Sequence, residues 1–349
     1  MLTILFFLSS GLFLGWSLGA NDAANIFGTA VSTKMIKFRT AAIICSIFVI
    51  IGAVVSGAGA SHTLGKLGEV NELAGAFIVA LAAALTVLWM TKAGLPVSTS
   101  QEIVGAIIGW NFFSKTATSI NSLSKIVGTW VFSPILSAIF AFLLFHLIKK
   151  IIENSNIHLL RLDSYTRVGL IIVGAFGSYS LGANNIGNVM GVFINASPFQ
   201  DISVAGIFTF TSVQQLFLLG GIAIGIGVIS YSKKVMQTVG SGIFKLSPVT
   251  ALVVVLASSI TLFLFASQGL HDFLTSNNLP AFPLVPVSSS QAVVGSVMGI
   301  SLAKGGRNLN FRKLGQISLG WVVTPLASAI LTYVALFFMQ NVFLQNVYH

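Results

Sequence analysis

Two short polar motifs, each present twice inside hydrophobic sequence, constrain this chain more than any other feature. Leu18-Gly19-Ala20-Asn21-Asp22-Ala23-Ala24-Asn25 returns 163 residues later as Leu181-Gly182-Ala183-Asn184-Asn185-Ile186-Gly187-Asn188. Pro96-Val97-Ser98-Thr99-Ser100-Gln101 returns 190 residues later as Pro286-Val287-Ser288-Ser289-Ser290-Gln291. A third pair, Trp130-Val131-Phe132-Ser133-Pro134 and Trp321-Val322-Val323-Thr324-Pro325, is offset by 191. Polar groups inside a membrane are costly and mark substrate or ion paths. Their recurrence in two halves points to a transporter made from a duplicated unit, with its site where the repeats meet.

The surroundings of the motifs are those of a membrane protein. Charged residues make up 7% of the chain and hydrophobic residues 55%, too few charges to cover a soluble domain of this length. Ala41–Ala60, Ala74–Met90, Val131–Ile148 and Val249–Ala266 are apolar runs close to the ~20 residues of a spanning helix. The expected fold is therefore an all-α polytopic membrane protein, two inverted-topology repeats with broken helices and possible re-entrant segments. Ten hydrophobic segments are expected, near 3–32, 39–60, 73–92, 96–113, 126–148, 166–196, 204–230, 247–268, 284–303 and 315–340. They divide into a first repeat over 1–148, a cytoplasmic linker over 149–165 and a second repeat over 166–345.

The net charge of +10 reads as a cytoplasmic excess of Lys and Arg rather than as a nucleic-acid surface. With ten crossings and the N-terminus outside, 15 of the 18 Lys and Arg residues fall in cytoplasmic loops. The loop after segment one is basic and the loop after its counterpart, segment six, is not, so the repeats are expected to be inverted. Both termini then lie outside the cell. The lone Cys45 permits no internal disulfide and reads as a small core residue. The N-terminus lacks the basic region of a cleavable signal. The five histidines have no metal-ligand spacing, and no phosphate-binding Gly-rich ATPase loop is present. No catalytic site, cofactor or resident metal is expected.

Gly19 to Gly28 combines two asparagines, an aspartate and glycines. Since Gly costs ~1 kcal/mol against Ala in a helix, the segment is expected to break and to offer oxygens to a cation. Asp22 supplies the charge for Na⁺ or H⁺, with oxygens from Asn21, Asn25, Asn184 and Asn185. The bland alternative is an interhelical hydrogen-bond network. In the other pair, Pro96 and Pro286 stop a helix and the Ser/Thr clusters can cap the next one. A capped helix start exposes N–H groups and partial positive charge, which favours an anion. Ser98, Thr99, Ser100, Gln101, Ser288, Ser289, Ser290 and Gln291 are thus expected around an oxyanion, with Asn25 and Asn188 nearby. Capped turns at the surface are the competing reading. Glu102 follows Gln101 but has Ala292 as its counterpart, and is a further cation-coupling candidate or a network member.

At these residues the chain resembles the inorganic phosphate transporter family. Gly19-Ala20-Asn21-Asp22 with Asn25, Pro96 to Gln101, Gly182-Ala183-Asn184 with Asn188, and Pro286 to Gln291 carry the resemblance, which covers nearly the whole chain. It implies cation-coupled uptake of inorganic phosphate, driven by Na⁺ or H⁺, by alternating access between inverted repeats. The chain departs from the family pattern at Asn185, which replaces the second aspartate, and at Val49, where many members carry a glutamate. The long hydrophilic loop of many members is also missing. Some relatives that lost both aspartates carry sulfate, so sulfate or another tetrahedral oxyanion is the alternative cargo. The lipid bilayer of the cell membrane is the expected environment, and a homodimer is open.

Overall fold

The computed structural model describes residues 2–92, 97–155, 157–204, 208–242, 246–306 and 311–349. Pro96 of the first Ser/Thr motif, and Lys245 and Arg307 of the basic loops, fall outside these residues. Twelve helices are described: α1 (Leu2–Ser32), α2 (Phe38–Ser56), α3 (Ala58–Gly65), α4 (Leu73–Lys92), α5 (Thr99–Ser114), α6 (Ile120–Asn154), α7 (Leu159–Met190), α8 (Ser212–Gly242), α9 (Pro248–Ala266), α10 (Gln268–Ser276), α11 (Ser289–Ala303) and α12 (Phe311–Asn341). A two-stranded antiparallel ribbon, β1 (Ile202–Val204) with β2 (Phe208–Phe210), precedes α8.

Eight of these helices are long and apolar enough to cross a membrane. The expected segments at 96–113 and 284–303 are instead the short helices α5 and α11, of 16 and 15 residues. Each starts from an extended Ser whose hydroxyl accepts the N–H three residues on, Ser98 from Gln101 and Ser288 from Gln291. Those caps, rather than the prolines alone, fix where the two helices begin. The polar linker is largely helical, because α6 continues to Asn154 and α7 starts at Leu159.

One expectation fails. Gly19 to Gly28 does not break its helix: α1 runs without interruption through the motif, and so does α7 through Gly182 to Asn188. The glycines serve packing. A Cβ on Gly19 would strike the Ile224 carbonyl of α8, and one on Gly182 would strike the Val49 carbonyl of α2. Close backbone approach through small residues is how membrane helices gain contact where lipid gives no hydrophobic drive. The intrinsic cost of Gly is outweighed by contacts that no larger residue permits.

The glycine contacts recur in related pairs. Gly52 of α2 meets the Tyr179 carbonyl of α7, and Gly227 of α8 meets the Trp16 carbonyl of α1. Gly105 and Gly109 of α5 meet Pro325 and Ala329 of α12, and Gly295 and Gly299 of α11 meet Pro134 and Ala138 of α6. The offsets between α1 and α7, α5 and α11, and α6 and α12 are those of the sequence motifs, while α2 and α8 are offset by 175. The halves thus exchange partners: α1 packs on α8 and α7 on α2, while α5 packs on α12 and α11 on α6.

The outside of the molecule is apolar. Val131, Ile135 and Ile139 of α6, and their counterparts Val322, Leu326 and Ile330 of α12, are exposed along one stripe of each helix. Such stripes suit lipid. The interior holds the motifs: α1 is buried at nearly every position from Leu14 to Val31.

Candidate functional site

The site forms where α1 and α7 meet the starts of α11 and α5. In α1, Asp22 Oδ2 accepts the Ser289 hydroxyl of α11 at 2.7 Å. Asn25 Nδ2 donates to the same Ser289 oxygen at 3.3 Å. The helix is continuous, so Asn25 lies close to one turn beyond Asp22 and both reach one serine. Asn21 Nδ2 donates to Thr91 Oγ1 near the end of α4 at 2.8 Å.

The second half-site is built the same way from the opposite repeats. In α7, Asn188 Nδ2 donates to Ser100 Oγ of α5 at 2.8 Å and to Asn185 Oδ1 at 2.9 Å. Asn185 Nδ2 in turn donates to the Leu181 carbonyl at 3.2 Å. Asn184 grips the backbone of Val287 at two points, donating to its carbonyl at 2.7 Å and accepting its N–H at 3.1 Å.

One hydrogen bond joins the two short-helix starts directly. Ser100 Oγ donates to the Val287 carbonyl at 3.2 Å. The N-terminus of α5 therefore touches the residue just before Ser288, which caps α11. At a helix start the first backbone N–H groups have no partner within the helix. Two such ends meet here inside a packed interior, which gives the region donors and partial positive charge.

The polar inventory is incompletely paired. Among buried side-chain atoms, Asp22 Oδ1, Asn188 Oδ1, Thr99 Oγ1, Gln101 Oε1 and Gln291 Oε1 have no hydrogen-bond partner. Buried polar atoms are normally satisfied, and a cluster that is not marks a place where something else supplies the partner. Asp22, Asn184, Asn185, Asn188, Ser98 to Gln101 and Ser288 to Gln291 are all buried. Asn25 is half-buried and forms the least enclosed edge of the cluster.

The cluster therefore includes Asp22, Asn25, Asn184, Asn185, Asn188, Ser100 and Ser289 through hydrogen bonds, whereas Asn21 turns to Thr91 of α4. Ser98 and Ser288 serve as caps, and Ser288 also lies 3.1 Å from the Ser290 hydroxyl. Thr99 and the two glutamines stand beside the caps with unpaired atoms. Glu102 makes no hydrogen bond to the cluster and neighbours Thr324 of α12. Thr91, the Val287 backbone and Thr324 were not legible as site residues. The Trp-x-x-Ser/Thr-Pro repeat contained the one usable signal, for Thr324.

A sequence model of the phosphate transporter family matches the chain over residues 18–162, 154–332 and 273–348. A protein of Methanocaldococcus jannaschii named "Putative phosphate permease" is 28% identical over 92% of this chain and 93% of its own length. One of the same name from Chlamydia pneumoniae is 26% identical over 97% of this chain and 99% of its own. A solved structure described as the sodium-dependent phosphate transporter superposes with a TM-score of 0.78 at 25% identity, covering 97% of this chain and all of that one.

Proposed function

Since the chain belongs to the phosphate transporter family, and is thus a multi-pass membrane transporter rather than an enzyme, we propose that it is a secondary active symporter. It imports inorganic phosphate together with Na⁺ or H⁺ by alternating access between two inverted repeats. The observation that carries this reading is the Ser100–Val287 contact, which joins two helix N-termini beside Asp22. The anion sits at these starts, held by N–H groups and by the hydroxyls of Ser98, Thr99, Ser100, Ser288, Ser289 and Ser290. The amides of Gln101, Gln291, Asn25 and Asn188 complete its surroundings. Asp22 is the principal cation residue, with oxygens lent by Asn21, Asn25, Asn184 and Asn185. The repeats are 1–148 and 166–345, the Lys- and Arg-rich loops are cytoplasmic and both termini are outside.

The coupling follows from charge. Moving one charge against 100 mV costs ~2.3 kcal/mol, so a divalent anion entering a negative interior costs about 4.6 kcal/mol. Accumulation requires co-moving cations. A sodium-dependent phosphate transporter of the same fold supports Na⁺ as one of them.

Sulfate is the second reading, and Asn185 favours it. The half-site on α7 offers amides and hydroxyls without a carboxylate, which suits an oxyanion with no proton to donate. Asp22 favours phosphate, because a carboxylate can accept the proton that phosphate keeps near pH 7. Uptake of labelled phosphate by proteoliposomes under an imposed Na⁺ gradient tests the proposal. Phosphate uptake that depends on the gradient supports it. Sulfate uptake without phosphate uptake would replace it by the second reading.

A further inference from the structure

The two half-sites differ in where they keep their carboxylate. Asp22 of α1 has Asn185 of α7 as its counterpart, and Glu102 of α5 has Ala292 of α11. α1 joins α11 through Asp22 and Ser289, and α7 joins α5 through Asn188 and Ser100. One carboxylate thus lies inside the first half-site, on the long helix α1, and the other lies outside the second, on the short helix α5 facing α12.

Glu102 is 0% exposed and neither of its oxygens has a hydrogen-bond partner. Its polar neighbour is Thr324 of α12, 1% exposed, whose hydroxyl lies beside the carboxyl. Gly105 lies against the Pro325 carbonyl and Gly109 against the Ala329 carbonyl, so α5 and α12 run in the same direction. That register sets Glu102 level with the turn from Trp321 to Pro325. Pro325 lies inside α12 and has no N–H to give the Trp321 carbonyl one turn back. A carboxyl and a hydroxyl thus share one notch, within a turn of a carbonyl released from its own helix. The related notch, between α11 and α6, has Ser133 and Pro134 but faces Ala292.

The backbones touch one turn beyond Glu102, which leaves little space for an ion with several ligands. A proton needs none. A protonated Glu102 donates one O–H to the Trp321 carbonyl or to Thr324 and accepts the Thr324 hydroxyl on its other oxygen. Asp22 is the other buried carboxyl group among the described residues. The other described charges of the packed helices lie elsewhere: Lys92 is exposed at the end of α4, and Arg161, Asp163 and Arg167 are at the far end of α7.

We propose that Glu102, with Thr324 and the Trp321 carbonyl, is a proton-binding site separate from the Asp22 cation site. It takes up a proton from one side of the membrane and releases it to the other in each cycle. The cycle rests on the symport reading above; the proton site itself does not.

Infrared titration of the purified protein in detergent reads the site whether or not phosphate is carried. A carboxylic-acid C=O band that comes and goes with pH is expected in the wild type, lost in Glu102→Gln and shifted in frequency in Thr324→Val. A spectrum in which Glu102→Gln removes no such band overturns the proposal. If Glu102→Gln fails to fold, Thr324→Val decides alone: a shifted band supports the site and an unmoved one overturns it. Proteoliposomes then test the coupling with equal Na⁺ on both sides, clamped voltage and a one-unit inward pH gradient. One coupled proton multiplies phosphate accumulation about tenfold under that gradient, so Glu102→Gln should lower the accumulation ratio about tenfold relative to wild type. The comparison cancels the contribution of phosphate's own protonation. Equal ratios in both proteins would contradict a cycling proton. Absence of phosphate transport in the wild type would instead count against the symport reading and the cycle, leaving the infrared result to decide the site.

Discussion

Asp22 Oδ2 accepts the hydroxyl of Ser289 at 2.7 Å, joining the first repeat's long helix to the second repeat's short one. The other carboxylate oxygen is buried and has no hydrogen-bond partner. That oxygen is the free valence on which the cation assignment rests. Asp22→Asn keeps an acceptor for Ser289 and removes the charge, so the fold should persist while concentrative uptake is lost. The check is uptake at matched protein levels across Na⁺ concentration and pH. Wild-type rates with unchanged ion dependence would rule the assignment out.

Thr99 and Ser289 are counterparts with different employment. Ser289 is engaged with Asp22 and Asn25, while the buried Thr99 hydroxyl has no partner. Thr99→Val keeps the shape and removes that hydroxyl. Affinity for phosphate should weaken by ~1–2 kcal/mol, on the scale of a hydrogen bond to a charged group, with about tenfold per 1.4 kcal/mol. Transport kinetics that are unchanged in both Thr99→Val and Ser289→Ala would mean that the Ser/Thr clusters only cap helices.

The glycine pairs predict stability rather than affinity. Gly19→Val and Gly182→Val each place side-chain atoms against a neighbouring carbonyl. Overpacking of this kind costs ~1–3 kcal/mol, so thermal unfolding in detergent should occur at lower temperature for both. Gly128→Ala is the control, because nothing lies within 4 Å of a Cβ there. Similar unfolding temperatures for all three variants and the wild type would remove the packing account.

Sidedness is testable with single cysteines, since the native Cys45 is buried. Lys34 and Lys304 are exposed and lie in loops assigned to the cytoplasm. Lys34→Cys and Lys304→Cys should react with an impermeant maleimide only after the membrane is opened. Reaction of the two from opposite faces would contradict the inverted arrangement.

Much of this architecture is legible in the amino-acid sequence alone. The apolar stretch 73–92 is α4 to the residue, and the repeated motifs fall on contacts that cross between the halves. Repetition made that possible, because a shared offset reports shared structure even where single motifs are ambiguous. The unbroken course of α1 and α7 was not legible. It depends on Ile224 and Val49, carbonyl partners far away in sequence, which turn the glycines from helix breakers into packing sites. Thr91 and the Val287 backbone were hidden for the same reason: their roles come from proximity to Asn21 and Asn184, and no local pattern announces it. The orientation of Glu102 toward α12 needed the register set by Gly105 and Gly109.

The central claim is that the meeting point of α5 and α11 binds phosphate and that cations drive it inward. The most direct measurement is uptake of labelled phosphate by proteoliposomes containing the purified chain, under an inward Na⁺ gradient at fixed pH and clamped voltage, with and without a large excess of sulfate. The account predicts accumulation above equilibrium that collapses when the gradient is dissipated and persists in excess sulfate. Competition by sulfate that abolishes uptake, or accumulation indifferent to both the Na⁺ gradient and an imposed pH gradient, would contradict it.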